Sequence, residues 1–208
     1  MSMDALIDGL PNYAKDLKLN YSTLVRQNAE IAPQRLWGAV VASAVATRNA
    51  ELNEAALVEG AKQLSPQALE AAKSAAAVMG MNNIYYRFLH LSSNEKYGTI
   101  PAKLRMNVLR THGVDPVDFE LWSLAVSAIN GCGRCVDSHE KVVREKGVSE
   151  EEVLSIVRVA AVIHAIGVVL DMSGVKFVIK LPNLSVFRTT PFHAFAPAAL
   201  GLGAAKRT

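Results

Sequence analysis

The chain has 208 residues, half of them hydrophobic, which is enough for a sizeable core in one or two domains. The formal net charge of +3 depends on the end of the chain, where five basic residues and no acidic residue follow position 171. Removing those five from the 22 basic residues leaves 17 against 19 acidic ones, so residues 1–171 carry about −2. Residues 1–171 therefore lack the excess of basic residues that binds phosphate groups, and we expect no nucleic-acid partner.

The N-terminal residues are not expected to form a signal peptide, because Asp4 and Asp8 stand where such a peptide has a basic stretch and an apolar run. The most apolar segment, 153–170, contains Arg158, whose charge is costly inside a bilayer. We therefore expect a buried helix and no membrane span. These features predict a cytoplasmic protein, where two cysteines are more often catalytic or metal-binding than a structural disulfide.

Apolar spacing predicts helices along the first part of the chain, with little of the alternation that is typical of strands. The first helix spans 3–19 and is expected to bend or divide at Pro11. Helices over 22–27, 35–48 and 50–63 follow it.

The next helix has a clear start signal, with Ser65 as N-cap and Pro66 at the first helical position. Its alanine-rich body is expected to be interrupted or bent at 80–83, where a glycine and two asparagines occur, and to continue over 84–91. After a loop, a short helix is predicted over 101–111.

Three helices with capping signals complete the predicted fold. Asp115 and the proline after it start a helix that ends before Gly131. A helix over 132–146 follows, and Ser149 caps the last helix, over 150–170. The fold class that results is all-α.

The two halves of the chain share a pattern that indicates an internal duplication. The two tryptophans, Trp37 and Trp122, occupy matching positions 85 residues apart in similar apolar helices. The capping residues Ser65 and Ser149 are 84 residues apart, and each precedes an alanine-rich helix. The alternative is a chance alignment of two alanine-rich helices. The nearly equal spacings of the tryptophans and of the capping serines favour duplication.

The duplication predicts a single all-helical domain over 1–172, built from similar halves at about 20–100 and 101–172. Beyond it, prolines recur, acidic residues are absent and helical periodicity is lost. We expect 173–208 to be a poorly specified basic C-terminal tail.

Both cysteines of the chain, Cys132 and Cys135, lie at a predicted helix N-terminus with two residues between them. They can close a disulfide with little backbone movement, and the helix macrodipole favours a thiolate at Cys135. His139 lies one turn further along the same face and could accept or return the thiol proton. Glu120 could reach His139 if the two helices pack together. The pattern predicts a redox dithiol with a carboxylate–imidazole relay.

A metal site is the main alternative, because Cys132, Cys135, His139 and Glu120 form a ligand set that zinc accepts. Structural zinc usually has a second pair of cysteines or histidines, and the sequence offers none. A haem attachment site would need a histidine where Val136 stands, and a thioredoxin fold would need strands. Two inert buried cysteines are disfavoured by the glycines and charged residues around them.

The segment from Phe119 to His139 resembles the alkyl hydroperoxide reductase D (AhpD) family, within the carboxymuconolactone decarboxylase-like superfamily. Its spacing of Glu, eleven residues, Cys, two residues, Cys, three residues and His is that family's signature. Further similarity lies at Leu36-Trp37-Gly38, at 46–49 and at 79–83, so the resemblance covers about residues 1–171. It implies an all-helical AhpD-like fold and a homotrimer.

The resemblance also implies an antioxidant thiol–disulfide oxidoreductase with alkyl hydroperoxidase activity. Its electrons would come from dihydrolipoamide on a lipoylated 2-oxoacid dehydrogenase component, and its partner would be the peroxiredoxin AhpC. No bound cofactor or metal is implied.

By the same resemblance, Cys135 would be the attacking thiol that forms a sulfenic acid, and Cys132 the proton donor and resolving thiol. Glu120 and His139 would form the proton relay. Some members of the family have a histidine where this chain has Arg134, whose contribution would then be electrostatic. Two other functions remain open: a lyase of the carboxymuconolactone decarboxylase branch and a non-catalytic zinc-binding helical module.

Overall fold

The computed structural model describes residues 1–173, and every regular element within them is a helix. This confirms the predicted all-α class. The α-helices, in chain order, are α1 (Met3–Asp8), α2 (Lys15–Tyr21), α3 (Pro33–Thr47), α4 (Ala50–Gln63), α5 (Pro66–Leu91), α6 (Val108–Thr111), α7 (Pro116–Ile129), α8 (Gly133–Glu145) and α9 (Glu150–Met172). Shorter 3₁₀ turns lie at Asn12–Ala14 and Glu95–Thr99, and a π-helical turn lies at Ser22–Arg26.

The predicted helix starts are confirmed by capping hydrogen bonds. The side-chain oxygen of Ser65 accepts from the N–H of Ala68 at 3.1 Å, and that of Ser149 accepts from the N–H of Glu152 at 3.1 Å. Asp115 caps α7 in the same way. Each cap satisfies an N–H group that has no partner inside its helix, which fixes where the helix begins.

The predicted interruption at 80–83 is wrong, because α5 runs without a break for 26 residues. Gly80 lies on the exposed side of the helix, and a Cβ there would meet no neighbour. Met79 and Asn83, on the opposite side, are buried. Packing of the turns on both sides of Gly80 therefore outweighs the modest cost of glycine in a helix.

The predicted helix over 101–111 is also wrong in most of its length. Only Val108–Thr111 is helical, and Lys103 has a positive φ of 52°. Most residues of the segment are exposed, and of those before Val108 only Met106 is a partly buried hydrophobic residue packed against the core. A helix of this length without tertiary packing is not stable in water. The loop predicted before it contains the 3₁₀ turn Glu95–Thr99.

Helices α3, α5, α7 and α9 form the centre of the fold, and the two tryptophan-bearing helices α3 and α7 cross at close range. Trp122 is fully buried, and its indole N–H donates to the carbonyl oxygen of Arg35 at 3.0 Å. At the crossing, a Cβ on Gly38 would lie 2.0 Å from the Trp122 ring. The indole therefore fills the space that the absent side chain of Gly38 leaves.

An ion-pair cluster fixes the N-terminal end of α7 against α3 and α9. The guanidinium of Arg35 donates to Asp118 at 2.9 Å and to Glu152 at 2.8 Å. Burial lowers the pKa of Arg35, but its hydrogen bonds to Glu152 and Asp118 outweigh that effect, so the pKa lies above its usual value. Asp118 is 5% exposed, so this carboxylate needs its paired cation.

Helix α9 is long and apolar enough to cross a membrane by length and composition alone. It packs against α3 and α7, and 56% of its most apolar window is buried within the protein. These contacts are those of a core helix, as predicted for this segment. The division into similar halves stays a prediction, and all but Ser173 of the predicted tail lies outside the described residues.

Candidate active site

The turn between α7 and α8 positions both cysteines. Gly131 adopts a positive φ of 65°, a conformation that glycine takes without strain. The backbone N–H of Cys132 then donates to the carbonyl of Ser127 at 3.1 Å, and the N–H of Cys135 donates to the carbonyl of Cys132 at 2.9 Å. Cys132 is the N-cap of α8, and Cys135 lies in its first turn.

The structure holds Cys132 and Cys135 as a disulfide. Both residues are buried: Cys132 is fully inaccessible and Cys135 is 6% exposed. The two cysteines differ in their access to solvent space, since only Cys135 lines the neighbouring cavity.

Packing of α8 on α7 brings His139 and Glu120 together. The Nδ1 atom of His139 lies 2.6 Å from the Oε2 atom of Glu120, which is hydrogen-bond distance. The side chains are 12% and 25% exposed, respectively. On the other side of the ring, Nε2 lies 3.3 Å from the sulfur of Met79 on α5. A carboxylate at Nδ1 orients the imidazole ring.

A cavity of about 300 Å³ adjoins this group. Its volume is at the small end of the range for ligand pockets. Methionine and leucine side chains supply its apolar wall, and amide, hydroxyl, imidazole and guanidinium groups supply its polar wall. The residues that line it are Met79, Asn82, Tyr86, Met106, Leu109, Arg134, Cys135, Ser138 and His139.

The structure therefore brings the four residues singled out from sequence into one site. Cys135 and His139 line the cavity, Cys132 lies behind Cys135, and Glu120 reaches the cavity through His139. Arg134 is exposed, and its guanidinium carbon lies 5.7 Å from the ring centroid of Tyr86. It therefore packs over an aromatic ring at the cavity wall.

The cavity residues of α5 were not predicted from the sequence. Met79, Asn82 and Tyr86 recur at intervals of three and four residues, so they share one face of a continuous helix. The predicted interruption at 80–83 concealed this face. Treating the segment as one unbroken helix through Gly80 would have shown that these three residues share a face.

A polar network connects α5 to the turn that carries the cysteines. The amide nitrogen of Asn83 donates to the hydroxyl of Ser127 at 2.9 Å, and its amide oxygen accepts from the amide of Asn130 at 2.9 Å. Arg87 donates to the backbone carbonyl of Asn130. Because Asn83 and Ser127 are fully buried, these bonds fix the end of α7 just before Cys132.

No group of three or more His, Cys, Asp or Glu side chains within residues 1–173 is arranged to hold a metal ion. In the disulfide, the two sulfur atoms are bonded to each other and are not thiolate ligands. The zinc alternative thus gains no geometric support from the described part of the chain.

The fold and the site together define an all-helical protein that carries a dithiol/disulfide pair beside a carboxylate-backed histidine. The carboxymuconolactone decarboxylase family model matches residues 95–175. The chain is 72% identical over 175 residues to the alkyl hydroperoxide reductase AhpD of Acidobacterium capsulatum, a match that covers 84% of this chain and 96% of that protein.

Two further relatives bear the same name. The AhpD of Solibacter usitatus is 59% identical over 174 residues, 84% of this chain and 98% of that protein. The AhpD of Koribacter versatilis is 58% identical over 176 residues, 85% of this chain and 91% of that protein. The chain belongs to the AhpD family of alkyl hydroperoxide reductases, within the carboxymuconolactone decarboxylase-like superfamily. The resemblance seen in its sequence is confirmed, and with it a place among antioxidant, peroxide-related oxidoreductases.

Proposed function

We propose that this chain is a dithiol peroxidase that reduces organic hydroperoxides, the disulfide of a partner peroxiredoxin of the AhpC type, or both. Dihydrolipoamide on a 2-oxoacid dehydrogenase component would be its electron donor. The observation that supports the proposal best is the disulfide Cys132–Cys135 at a helix N-terminus, with Cys135 and His139 on the same cavity wall and Glu120 at hydrogen-bond distance from His139.

The first step forms a sulfenic acid on Cys135. With the disulfide reduced, His139 takes the proton of the Cys135 thiol, and Glu120 stabilises the imidazolium that results. The thiolate attacks the terminal oxygen of the hydroperoxide, so that an S–O bond forms and the O–O bond breaks. The departing alkoxide takes the proton of the Cys132 thiol and leaves as an alcohol.

The second step restores the disulfide seen in the structure. The Cys132 thiolate attacks the sulfur of the Cys135 sulfenic acid, an S–S bond forms, and hydroxide leaves. Hydroxide takes the proton held by His139 and becomes water. Two thiols and one hydroperoxide thus give one disulfide, one alcohol and one water. Thiol–disulfide exchange with the two thiols of dihydrolipoamide then regenerates the reduced enzyme.

The surroundings of the two cysteines support the roles proposed for them. Cys135 lines the cavity and is positioned to meet a substrate, whereas Cys132 is fully buried behind it. A small hydroperoxide fits a cavity of about 300 Å³. A disulfide on another protein must reach a sulfur on a residue that is only 6% exposed, so that reaction requires the cavity entrance to open.

Oligomerisation is part of the same proposal. The second half of α5 exposes Ile84, Phe88 and Leu91, which are 66%, 52% and 75% exposed. Their spacing places them on one apolar stripe of the helix, a surface typical of protein–protein contacts. We propose that this stripe contributes to the homotrimer that the family resemblance implies. Light scattering of the purified protein would show a mass of three chains; a monomer would contradict it.

Single-cysteine variants test the proposed roles. Cys135→Ser is expected to abolish the reaction with tert-butyl hydroperoxide, because the attacking sulfur is lost. Cys132→Ser is expected to form one sulfenic acid per chain, trapped by dimedone, without turnover by dihydrolipoamide. Turnover retained in both variants would contradict the mechanism.

A further inference from the structure

Asn82 is the one amide side chain on the wall of the cavity beside Cys135, as far as the described residues show. The residue is 4% exposed. Its side-chain oxygen is buried and has no hydrogen-bond partner in residues 1–173. A buried acceptor without a partner is costly, and each such group needs an explanation, such as a bound water or a role at a functional site.

The neighbouring asparagine on α5 has hydrogen-bond partners, so an unpaired side-chain oxygen is not shared by both asparagines. Asn83 uses both ends of its amide, as donor to Ser127 and as acceptor from Asn130. Asn82 lies one residue earlier and faces the cavity, together with Met79 and Tyr86 from the same face of α5. The amide of Asn82 is therefore placed where a bound molecule would meet it.

Each polar group of a hydroperoxide has a hydrogen-bond partner in a side-chain amide. Its terminal oxygen carries an O–H that can donate to the amide oxygen, and its inner oxygen can accept from the amide NH₂. The terminal oxygen is also the atom that the Cys135 thiolate attacks in the proposed reaction. The inner oxygen is the one on which negative charge develops as the O–O bond breaks.

We propose that Asn82 binds the hydroperoxide group of the substrate beside Cys135. In the substrate complex the amide turns so that its oxygen faces the cavity and accepts the O–H of the substrate, while its NH₂ donates to the departing oxygen. Cys135 sulfur is oxidised and the peroxide is reduced as described for the first step, with Asn82 unchanged. The inference rests on the proposed peroxidase function, and it assigns the specificity of the cavity to hydroperoxides.

The test compares two reactions of the reduced protein. One is with tert-butyl hydroperoxide, which carries the group that Asn82 would bind. The other is with 4,4′-dithiodipyridine, a small disulfide that reacts with the same thiol but has no O–H and releases no alkoxide. In Asn82→Leu and Asn82→Ala, the rate constant with the hydroperoxide is expected to fall about 10- to 100-fold. The rate constant with the disulfide is expected to stay within about twofold.

Asn53 on α4 offers a matched control, because its side-chain oxygen is also buried without a partner, yet it does not line the cavity. Asn53→Leu is expected to leave both rate constants unchanged. Thermal unfolding provides a second readout: Asn82→Leu should melt no lower than the wild type, since it removes an unpaired buried acceptor. A purely structural role for Asn82 predicts a lower melting temperature.

Three results would overturn the inference. A hydroperoxide rate constant within twofold of wild type in both variants would show that Asn82 does not bind the substrate. An equal fall in both reactions would show that Asn82 acts on the thiol and not on the peroxide. A wild-type protein that reacts with the disulfide but not with the hydroperoxide would overturn the proposed function itself.

Discussion

Replacement of Glu120 by glutamine tests whether the Glu120–His139 pair acts in the reaction. The substitution keeps the size of the side chain and removes its charge. The hydrogen bond to Nδ1 is 2.6 Å long, and the two side chains are 25% and 12% exposed. Hydrogen bonds to charged groups contribute about 1.5–3 kcal/mol, and partial exposure favours the lower end of that range.

A loss of about 1.5–2 kcal/mol of transition-state stabilisation corresponds to a rate about 10- to 30-fold lower. The assay is the second-order rate constant of the reduced protein with tert-butyl hydroperoxide, measured across the pH range. Because the proposed relay transfers the thiol proton through His139, loss of the Glu120 carboxylate is expected to change the pH profile as well as the rate.

Glu140→Gln is the matched control, since it makes the same change of charge on the residue next to His139. Glu140 faces Arg144 at 3.9 Å and not the imidazole. Its rate constant and pH profile are expected to match the wild type. If Glu120→Gln shows an unchanged rate and an unchanged pH profile, the pair is structural and the proton relay is refuted.

Three further predictions follow from the fold and the site. Gly38→Ala should lower the free energy of unfolding by at least about 2 kcal/mol in urea titrations, because the new Cβ overlaps the buried Trp122 ring; wild-type stability would refute this packing. Burial raises the pKa of Tyr21 above its usual value near 10, so the stability that its neutral phenol contributes is complete below pH 10 and falls as pH rises further. Tyr21→Phe should therefore lessen the loss of stability between about pH 9 and pH 11, and an unchanged slope would contradict this. Metal analysis of the reduced protein should find less than about 0.1 zinc per chain, whereas one zinc bound through the thiolates would favour the metal alternative.

Local chemistry made much of this fold predictable. Capping serines and Asp115 are followed by apolar spacing of about 3.6 residues, so the starts of α5, α7 and α9 could be predicted closely. The cysteine spacing and the position of His139 likewise depend on one helix, α8. Such features need no knowledge of how helices pack.

The remaining features depend on tertiary contacts that a sequence does not display. Gly80 did not break α5, because buried neighbours on both sides hold the helix. The segment 101–107 did not form a helix, because its side chains lack a buried face. Asn82 joined the site only through the packing of α5 against α8. Its part in the site could not be inferred once α5 was taken as interrupted.

Cys132 and Cys135 are proposed to form a dithiol that a hydroperoxide oxidises and dihydrolipoamide reduces. The most direct measurement is the intact mass of the reduced protein before and after one equivalent of an organic hydroperoxide, and again after dihydrolipoamide. A loss of two hydrogens per chain, restored by dihydrolipoamide, is the predicted result. An unchanged mass after the hydroperoxide, with both thiols still free, would contradict it.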